Sequence, residues 1–196
     1  MGQVESQKGS MTIMMDADAI AEAIHRIARA IADANPDMDS VALLGILRRG
    51  RPLADRLAKQ IGDMRGKTPR VGSLATTLYR DDLRAGVGIV KPQMEPTHFD
   101  FNVDGLTVVL VDDVLAAGRT IRAAMDEVMD YGRPARIQLA CLVDRGGREL
   151  PIQPDYLGRT VATQADEYVA VRFVETDGED VVLLGRKDVG QDVGGA

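Results

Sequence analysis

A chain of 196 residues, 45% of them hydrophobic, is long enough to bury one sizeable core; with 4% aromatics and no tryptophan, that core is built from Val, Ile, Leu, Ala and Met. A net charge of −6 excludes generic electrostatic attraction to nucleic acid, and a single cysteine, Cys141, excludes an internal disulfide and a cysteine-rich metal site. No apolar run reaches the roughly 18 residues of a membrane span, and no charged-then-apolar leader opens the chain, so no membrane partner is expected and the cytoplasm is the expected compartment.

Residues 1–15 are expected to form a disordered tail. Asp16 then caps a helix on which Ile20, Ile24, Ile27 and Ile31 recur at helical spacing as far as Asn35-Pro36. Val41 to Leu47 is a strand-like apolar run that ends in Arg48-Arg49-Gly50. A basic turn at the end of a strand offers backbone N–H groups and guanidinium to a pyrophosphate. Pro52 starts a second helix carrying Leu53, Leu57 and Ile61, and Arg70 to Leu78 reads as extended. Tyr79 to Val103 is a long polar excursion opened by Tyr79-Arg80-Asp81-Asp82, which suits a flap that closes over a reacting centre.

Thr107 to Val111 is a β-branched run suited to a strand buried on both faces, and Asp112 and Asp113 are expected to stop it. A loop with Gly118 follows, then a helix with Ile121, Ala124, Met125, Val128 and Met129 inward and Gly132 as its C-cap. Arg136 to Val143 forms a further strand in which Cys141 is expected as a buried, inert thiol. It ends in Asp144-Arg145-Gly146-Gly147-Arg148. Short strands are expected at Tyr156, Val161 and Val169 to Val174, and Asp177-Gly178 turns a hairpin into Val181 to Leu184. Residues 16–185 thus make a single α/β domain with a mainly parallel sheet, and 186–196 a disordered tail.

The chemistry concentrates between Val108 and Thr120. In an open α/β sheet, ligands sit where a strand hands over to its helix. Ala116, Ala117 and Gly118 allow close approach to backbone N–H groups at a helix start, where a phosphate is the natural guest; Arg119 and Thr120 add a charged donor and a hydroxyl. Twin carboxylates would repel that phosphate, so Asp112 and Asp113 suit the neutral diol of a ribose or the neighbourhood of a cation. A ligand carrying a 5′-phosphate and a 2′,3′-diol satisfies both ends.

The run V-V-L-V-D-D-V-L-A-A-G-R-T resembles the motif by which type I phosphoribosyltransferases bind 5-phosphoribosyl 1-pyrophosphate (PRPP), except that Ala117 stands where that family usually has Thr. Together with Gly45-Ile46-Leu47-Arg48-Arg49-Gly50, Thr77-Leu78-Tyr79-Arg80-Asp81-Asp82-Leu83, Gly132-Arg133-Pro134, Leu142-Val143-Asp144-Arg145-Gly146 and Arg148-Glu149-Leu150-Pro151, it is similar to the pyrimidine-operon attenuation regulators that double as uracil phosphoribosyltransferases. The likeness runs from about Asp16 to Leu184.

The resemblance implies a five-stranded parallel core with a small hood and a homodimer or larger homo-oligomer. It implies UMP and pyrophosphate made from uracil and PRPP, with Mg²⁺ bound through PRPP and no direct protein ligand to the metal. The implied PRPP site is Asp112, Asp113, Val114, Leu115, Ala116, Ala117, Gly118, Arg119 and Thr120, with Arg48, Arg49 and Gly50 on the pyrophosphate and Tyr79, Arg80, Asp81 and Asp82 in the flap. Asp144, Arg145 and Arg148 fall on the uracil side. It also implies binding of the pyrimidine-operon mRNA leader when UMP or UTP is bound, with Arg26, Arg29 and Arg159 as candidate RNA contacts. Ala21-Glu22 and Gly147 stand where regulators of this kind tend to have basic residues and His. The alternative is a nucleotide-sensing regulator with little or no catalysis.

Overall fold

In a computed structural model the protein is described over residues 11–76 and 96–186. The tail up to Ser10, the final residues from Lys187, and the expected flap residues Tyr79, Arg80, Asp81 and Asp82 lie outside the described residues.

Five parallel strands form the main sheet in the order β3-β2-β4-β5-β6: β2 (Val41–Ile46), β3 (Arg70–Leu74), β4 (Thr107–Leu115), β5 (Arg136–Asp144) and β6 (Tyr156–Thr160). β2 is buried at every position and Val108 to Val111 are fully buried, as expected for parallel strands covered on both faces. Side chains alternate along the strand. Val109 and Val111 of β4 join the core under α1 (Ala17–Ala34) and α2 (Gly50–Arg65), whereas Val108 and Leu110 join the core under α3 (Arg119–Tyr131).

The helices form where capping and periodicity agree. The Asp16 carboxylate accepts the Ala19 N–H at 2.9 Å, and Ile20, Ile24, Ile27 and Ile31 are all buried along one face of α1. α1 ends in a buried polar knot: the two N–H groups of the Asn35 amide are shared among Ile31 O at 3.0 Å, Gln138 Oε1 at 3.2 Å and the Tyr156 hydroxyl at 3.2 Å, tying the helix to β5 and β6. α2 starts at Gly50, two residues before Pro52, and closes at Gly66 with φ 68°. Gly132 does end α3, but in an extended conformation with φ 162° and not a left-handed one. A Cβ there would meet Asp104 Oδ1 at 2.6 Å and Val103 Cγ2 at 2.8 Å, so close approach and not turn geometry demands glycine.

A second sheet, β1-β8-β7, is antiparallel and built from β1 (Thr12–Met15), β7 (Glu167–Arg172) and β8 (Val181–Arg186). This corrects one expectation. The tail does not reach residue 15: Thr12 to Met15 pair with Val182 to Leu184, and Met15 is buried while Ile13 stays 64% exposed. So short a strand has no periodicity of its own to show, because its partner is distant in sequence. The expected hairpin into Val181 to Leu184 is present, with β7 and β8 antiparallel and Arg172 opposite Val181; its connection includes one helical turn, α4 (Val174–Asp177), which Gly178 closes with φ 81°.

The structure also moves two strand ends. β4 runs past both aspartates to Leu115, because β5 continues beside it and pairs Asp112 with Cys141, Val114 with Val143 and Leu115 with Asp144. β3 stops at Leu74, short of Leu78.

The Asn35 knot generates a prediction. Asn35→Ala removes one of the hydrogen-bond donors of the buried pair Gln138 and Tyr156, which keep their bond to each other, so stability falls by about 1–3 kcal/mol at an unchanged m-value in urea denaturation. A loss below about 0.5 kcal/mol would show that water replaces the amide.

Candidate active site

The carboxyl end of β4 lies at the centre of the main sheet, and the loop Ala116–Gly118 leads from it into α3. Gly118 holds φ 93°, a conformation that strains any other residue, and α3 has no side-chain N-cap. The first-turn amides of a helix have no partner within it, so they stand ready for an anion.

What turns the loop toward such a guest is the segment 145–150 behind it. Leu115 O accepts from the Arg145 N–H at 3.0 Å, and Ala117 O accepts from Glu149 N–H at 3.0 Å and Leu150 N–H at 3.1 Å. Ala116 O accepts from Arg148 Nη1 at 3.0 Å. Three successive carbonyls therefore point into this brace. A trans peptide sets its N–H opposite its C=O, so the amides of Ala116, Ala117 and Gly118 point away from the brace. On the loop's walls Asp112, Val114, Leu115, Ala116, Ala117, Gly118, Arg119, Thr120 and Ile121 line one recess with a cavity of about 40 Å³. Asp113 is not part of that lining, and its backbone N–H donates to Asp112 Oδ1 at 3.0 Å.

Arg148 holds the brace together. Its Nε donates to Ile152 O at 2.7 Å, and Nη1 and Nη2 meet the two oxygens of Asp144 at 2.9 Å and 2.6 Å. With Ala116 O this engages four of the five guanidinium N–H groups. The Arg148 hydrogen bonds hold the Asp144 carboxyl below its ordinary range against the opposing effect of burial, with help from the Gly146 N–H. Asp144 and Arg148, expected on the uracil side, are thus taken up by each other and, through Arg148, by the back of the loop Ala116–Gly118. Arg119 pairs with Glu149 on the same brace. The guanidinium of Arg145, at the end of β5, has no hydrogen bond or ion pair among the described residues.

The basic turn arrives beside β4 for a steric reason. A Cβ on Gly50 would lie 2.3 Å from Val111 O, and one on Gly45 would lie 2.5 Å from Arg51 Cα, so β2, the turn and β4 close up only with glycine at both places. The Leu47–Arg48 peptide is cis, and Leu47 N–H is held by Leu74 O at 2.9 Å. The close approach at Gly50 sets the turn against Val111, the residue that precedes Asp112. Arg48 is exposed and its side chain has no partner among the described residues. Arg49 is forked onto Asp177 of α4, Nε to Oδ2 at 3.2 Å and Nη2 to Oδ1 at 2.9 Å.

Sequence reasoning missed this junction with the small sheet. Arg56, on α2, binds both Glu175 oxygens at 2.8 Å and 2.6 Å and both Asp180 oxygens at 2.8 Å and 2.7 Å, and its guanidinium stands 4.8 Å above the Phe173 ring. The available signal was opposite charge: Glu175, Asp177, Glu179 and Asp180 crowd one turn, and Arg48, Arg49, Arg51 and Arg56 crowd the start of α2.

Cys141 is fully buried; burial, reinforced by the charges of Asp112, Asp113 and Asp144, pushes its thiol pKa well up and keeps it an inert packing residue. Arg26 donates to Gly158 O at 2.8 Å and lies 3.7 Å from Glu22; Arg159 donates to Met14 O at 2.7 Å; Arg29 lies 3.7 Å from Asp33. Arg26 and Arg159 therefore meet on one surface where α1, β6 and β1 adjoin, with Arg29 one turn along α1.

Known proteins place this arrangement. The phosphoribosyl transferase domain family matches residues 12–172. Among curated relatives, a protein of Clostridioides difficile (strain 630) is 48% identical over 171 residues, covering 87% of this chain and 96% of its own. One of Roseiflexus sp. (strain RS-1) is 53% identical over 165 residues, covering 84% and 89%, and one of Thermus aquaticus is 49% identical over 175 residues, covering 89% and 96%. All three are named bifunctional protein PyrR. Solved structures share the fold at low identity: a hypoxanthine phosphoribosyltransferase of Trypanosoma cruzi has TM-score 0.65 at 17% identity, covering 93% of this chain and 94% of that one. A hypoxanthine-guanine phosphoribosyltransferase of Bacillus anthracis has TM-score 0.64 at 15% identity, covering 90% and 99%. A braced amide loop beside an aspartate, on a parallel sheet matched along nearly its whole length by these relatives, shows that the chain belongs to the phosphoribosyl transferase domain family and, within it, to the bifunctional PyrR proteins.

Proposed function

We infer that this protein transfers the phosphoribosyl group of PRPP to uracil, releasing pyrophosphate and UMP, and that with a uridine nucleotide bound it regulates transcription of the pyrimidine operon through the mRNA leader. The observation that supports the first half is the loop Ala116–Gly118 at the start of α3, whose three amides follow the carbonyls of Leu115, Ala116 and Ala117, all held from behind. The second half follows from the bifunctional relatives at about half identity.

In the transfer, the 5′-phosphate accepts hydrogen bonds from the amides between Ala116 and Thr120 and from the Thr120 hydroxyl, and the positive end of α3 favours its charge. Asp112 and Asp113 accept hydrogen bonds from the ribose hydroxyls. The turn Arg48-Arg49-Gly50 faces the pyrophosphate, with Arg80 and its flap neighbours Tyr79, Asp81 and Asp82 covering the centre. Among the described residues no group of three or more metal-binding side chains is close enough to cage an ion. Two adjacent carboxylates and a substrate rich in phosphate oxygens are a donor set of the kind Mg²⁺ accepts, so Asp112 and Asp113 are the groups that would lie nearest a cation carried in on PRPP. Bound there, Mg²⁺ supplies neutralising charge to the pyrophosphate oxygens.

As the bond between C1 and the pyrophosphate oxygen breaks, positive charge grows on the ribose ring and negative charge on the leaving group. The aspartates stabilise the first and the basic turn the second, both preplaced. Uracil N1 forms the new bond to C1 as the C1–oxygen bond breaks, and its proton passes to the released pyrophosphate or to solvent. Arg145, at the end of β5, is the cation available to the base side, while Asp144 and Arg148 keep the phosphate loop in place. Assembly into at least dimers and a cytoplasmic setting complete the reading.

Three outcomes test it. A nucleobase panel with PRPP and Mg²⁺ yields nucleotide and pyrophosphate with uracil and little with purines; tight UMP binding with negligible turnover for every base would instead identify a nucleotide sensor. Ala117→Thr adds one hydroxyl to the cradle and lowers the KM for PRPP by roughly fivefold, the worth of about 1 kcal/mol for one hydrogen bond. An unchanged KM would mean that amides alone hold the phosphate. Leader RNA binds with an affinity that falls as salt rises, and the triple change Arg26→Ala, Arg29→Ala, Arg159→Ala reduces the log–log salt slope by about 1 per contacting cation. An unchanged slope places the RNA surface elsewhere.

A further inference from the structure

Asp177 lies in the small sheet's connecting turn, outside every part of the site assigned so far, yet it grips the arginine of the pyrophosphate turn on two hydrogen bonds. We propose that Asp177 is a positioning residue for the reaction: it sets the plane of the Arg49 guanidinium so that the turn Arg48–Gly50 meets pyrophosphate in one orientation. The proposal rests on the transferase reading above and adds to it a residue from the second sheet.

Three features separate this pair from an ordinary surface contact. First, both of its members are partly shielded, with 35% of the Arg49 side chain and 19% of the Asp177 side chain exposed, whereas the i,i+4 pair of Arg26 and Glu22 is 52% and 76% exposed. Second, Asp177 is itself fixed. Its Oδ2 accepts the Phe173 N–H at 3.1 Å and the Thr176 hydroxyl at 2.7 Å, so the carboxylate cannot swing to follow a moving arginine. Third, the turn that carries it is fixed from the other side. Phe173 is fully buried, and Arg56 spans Glu175 and Asp180 two turns farther along the helix that Arg49 caps. α4, four residues long, is thus docked on α2 by two arginines, of which one holds it in place and the other belongs to the pyrophosphate turn.

The physical gain is preorganisation. An arginine on a flexible turn loses rotamer freedom on meeting an oxyanion; one whose Nε–Nη2 edge is already clamped has lost it in advance. Planarity of the guanidinium then dictates how its remaining edge meets planar or tetrahedral oxyanions. The same hydrogen bonds from Arg49 hold the Asp177 carboxyl far below its ordinary range, so the clamp stays charged throughout the neutral range.

The test is calorimetric titration of full-length protein with magnesium pyrophosphate and, separately, with UMP, alongside steady-state kinetics. Asp177→Asn keeps the side chain's shape and removes its charge. Pyrophosphate affinity falls about tenfold and kcat falls with it, while UMP affinity and the KM for uracil stay within twofold. Glu175→Gln, which loosens the same turn through Arg56 alone, leaves pyrophosphate affinity within twofold. In an Arg49→Ala background, Asp177→Asn has no further effect, because it acts only through that arginine. The proposal is overturned if Asp177→Asn leaves pyrophosphate affinity unchanged, if Glu175→Gln matches its loss, or if the losses of Asp177→Asn and Arg49→Ala simply add. Wild-type protein that binds pyrophosphate but makes no nucleotide would defeat the transferase reading while the binding data still decide the clamp.

Discussion

The carbonyl oxygens of Leu115, Ala116 and Ala117 are all committed to the segment 145–150, and the rest of the site depends on that commitment. A free loop of two alanines and a glycine would sample many conformations, and its amides would point at a phosphate only part of the time. Here β5 runs beside β4 through Leu115 and Asp144, which delivers Arg145 to Leu150 behind the loop and pins it. The Asp144–Arg148 pair then acts as a cross-brace within that segment. Loss of the brace would cost order in the loop more than it would cost the fold, because the core under α1 and α2 does not involve it.

Glycine at two positions has a comparable organising effect on the other half of the site. Gly45 and Gly50 let the basic turn settle against β4 with no side chain between them, so the turn and the twin acids occupy neighbouring places on one sheet edge. Opposite charges are thereby set side by side at the carboxyl ends of β2 and β4. The protein's net charge of −6 gives no hint of this arrangement, because the arginines that matter are held locally against acids of the second sheet.

Magnitudes separate what holds the molecule from what tunes it. Exposed pairs such as Arg29–Asp33, with side chains 72% and 61% exposed, contribute at most about 1 kcal/mol. Each fully buried Ile of α1 contributes about 1.5–3 kcal/mol by removal of apolar surface from water. Stability therefore resides in the two layers of aliphatic side chains flanking the main sheet, and the ion pairs at α4 are free to serve orientation.

The sequence by itself determined the elements whose signal is local. Isoleucine at helical spacing specified the inward face of α1, apolar runs specified β2, β4 and β5, and the string from Val108 to Thr120 specified a strand, a small-residue loop and a helix start, since each depends on the periodicity or backbone freedom of adjacent residues. Tertiary structure decided what depends on partners far along the chain: that Thr12 to Met15 form a strand on β8, that β4 continues through two carboxylates because β5 does, that Arg148 turns inward to Asp144 and Ala116, and that Arg49 is met by Asp177. Hydrogen bonds and ion pairs between distant residues leave no periodic trace in a sequence, for their geometry exists only once the sheets have packed.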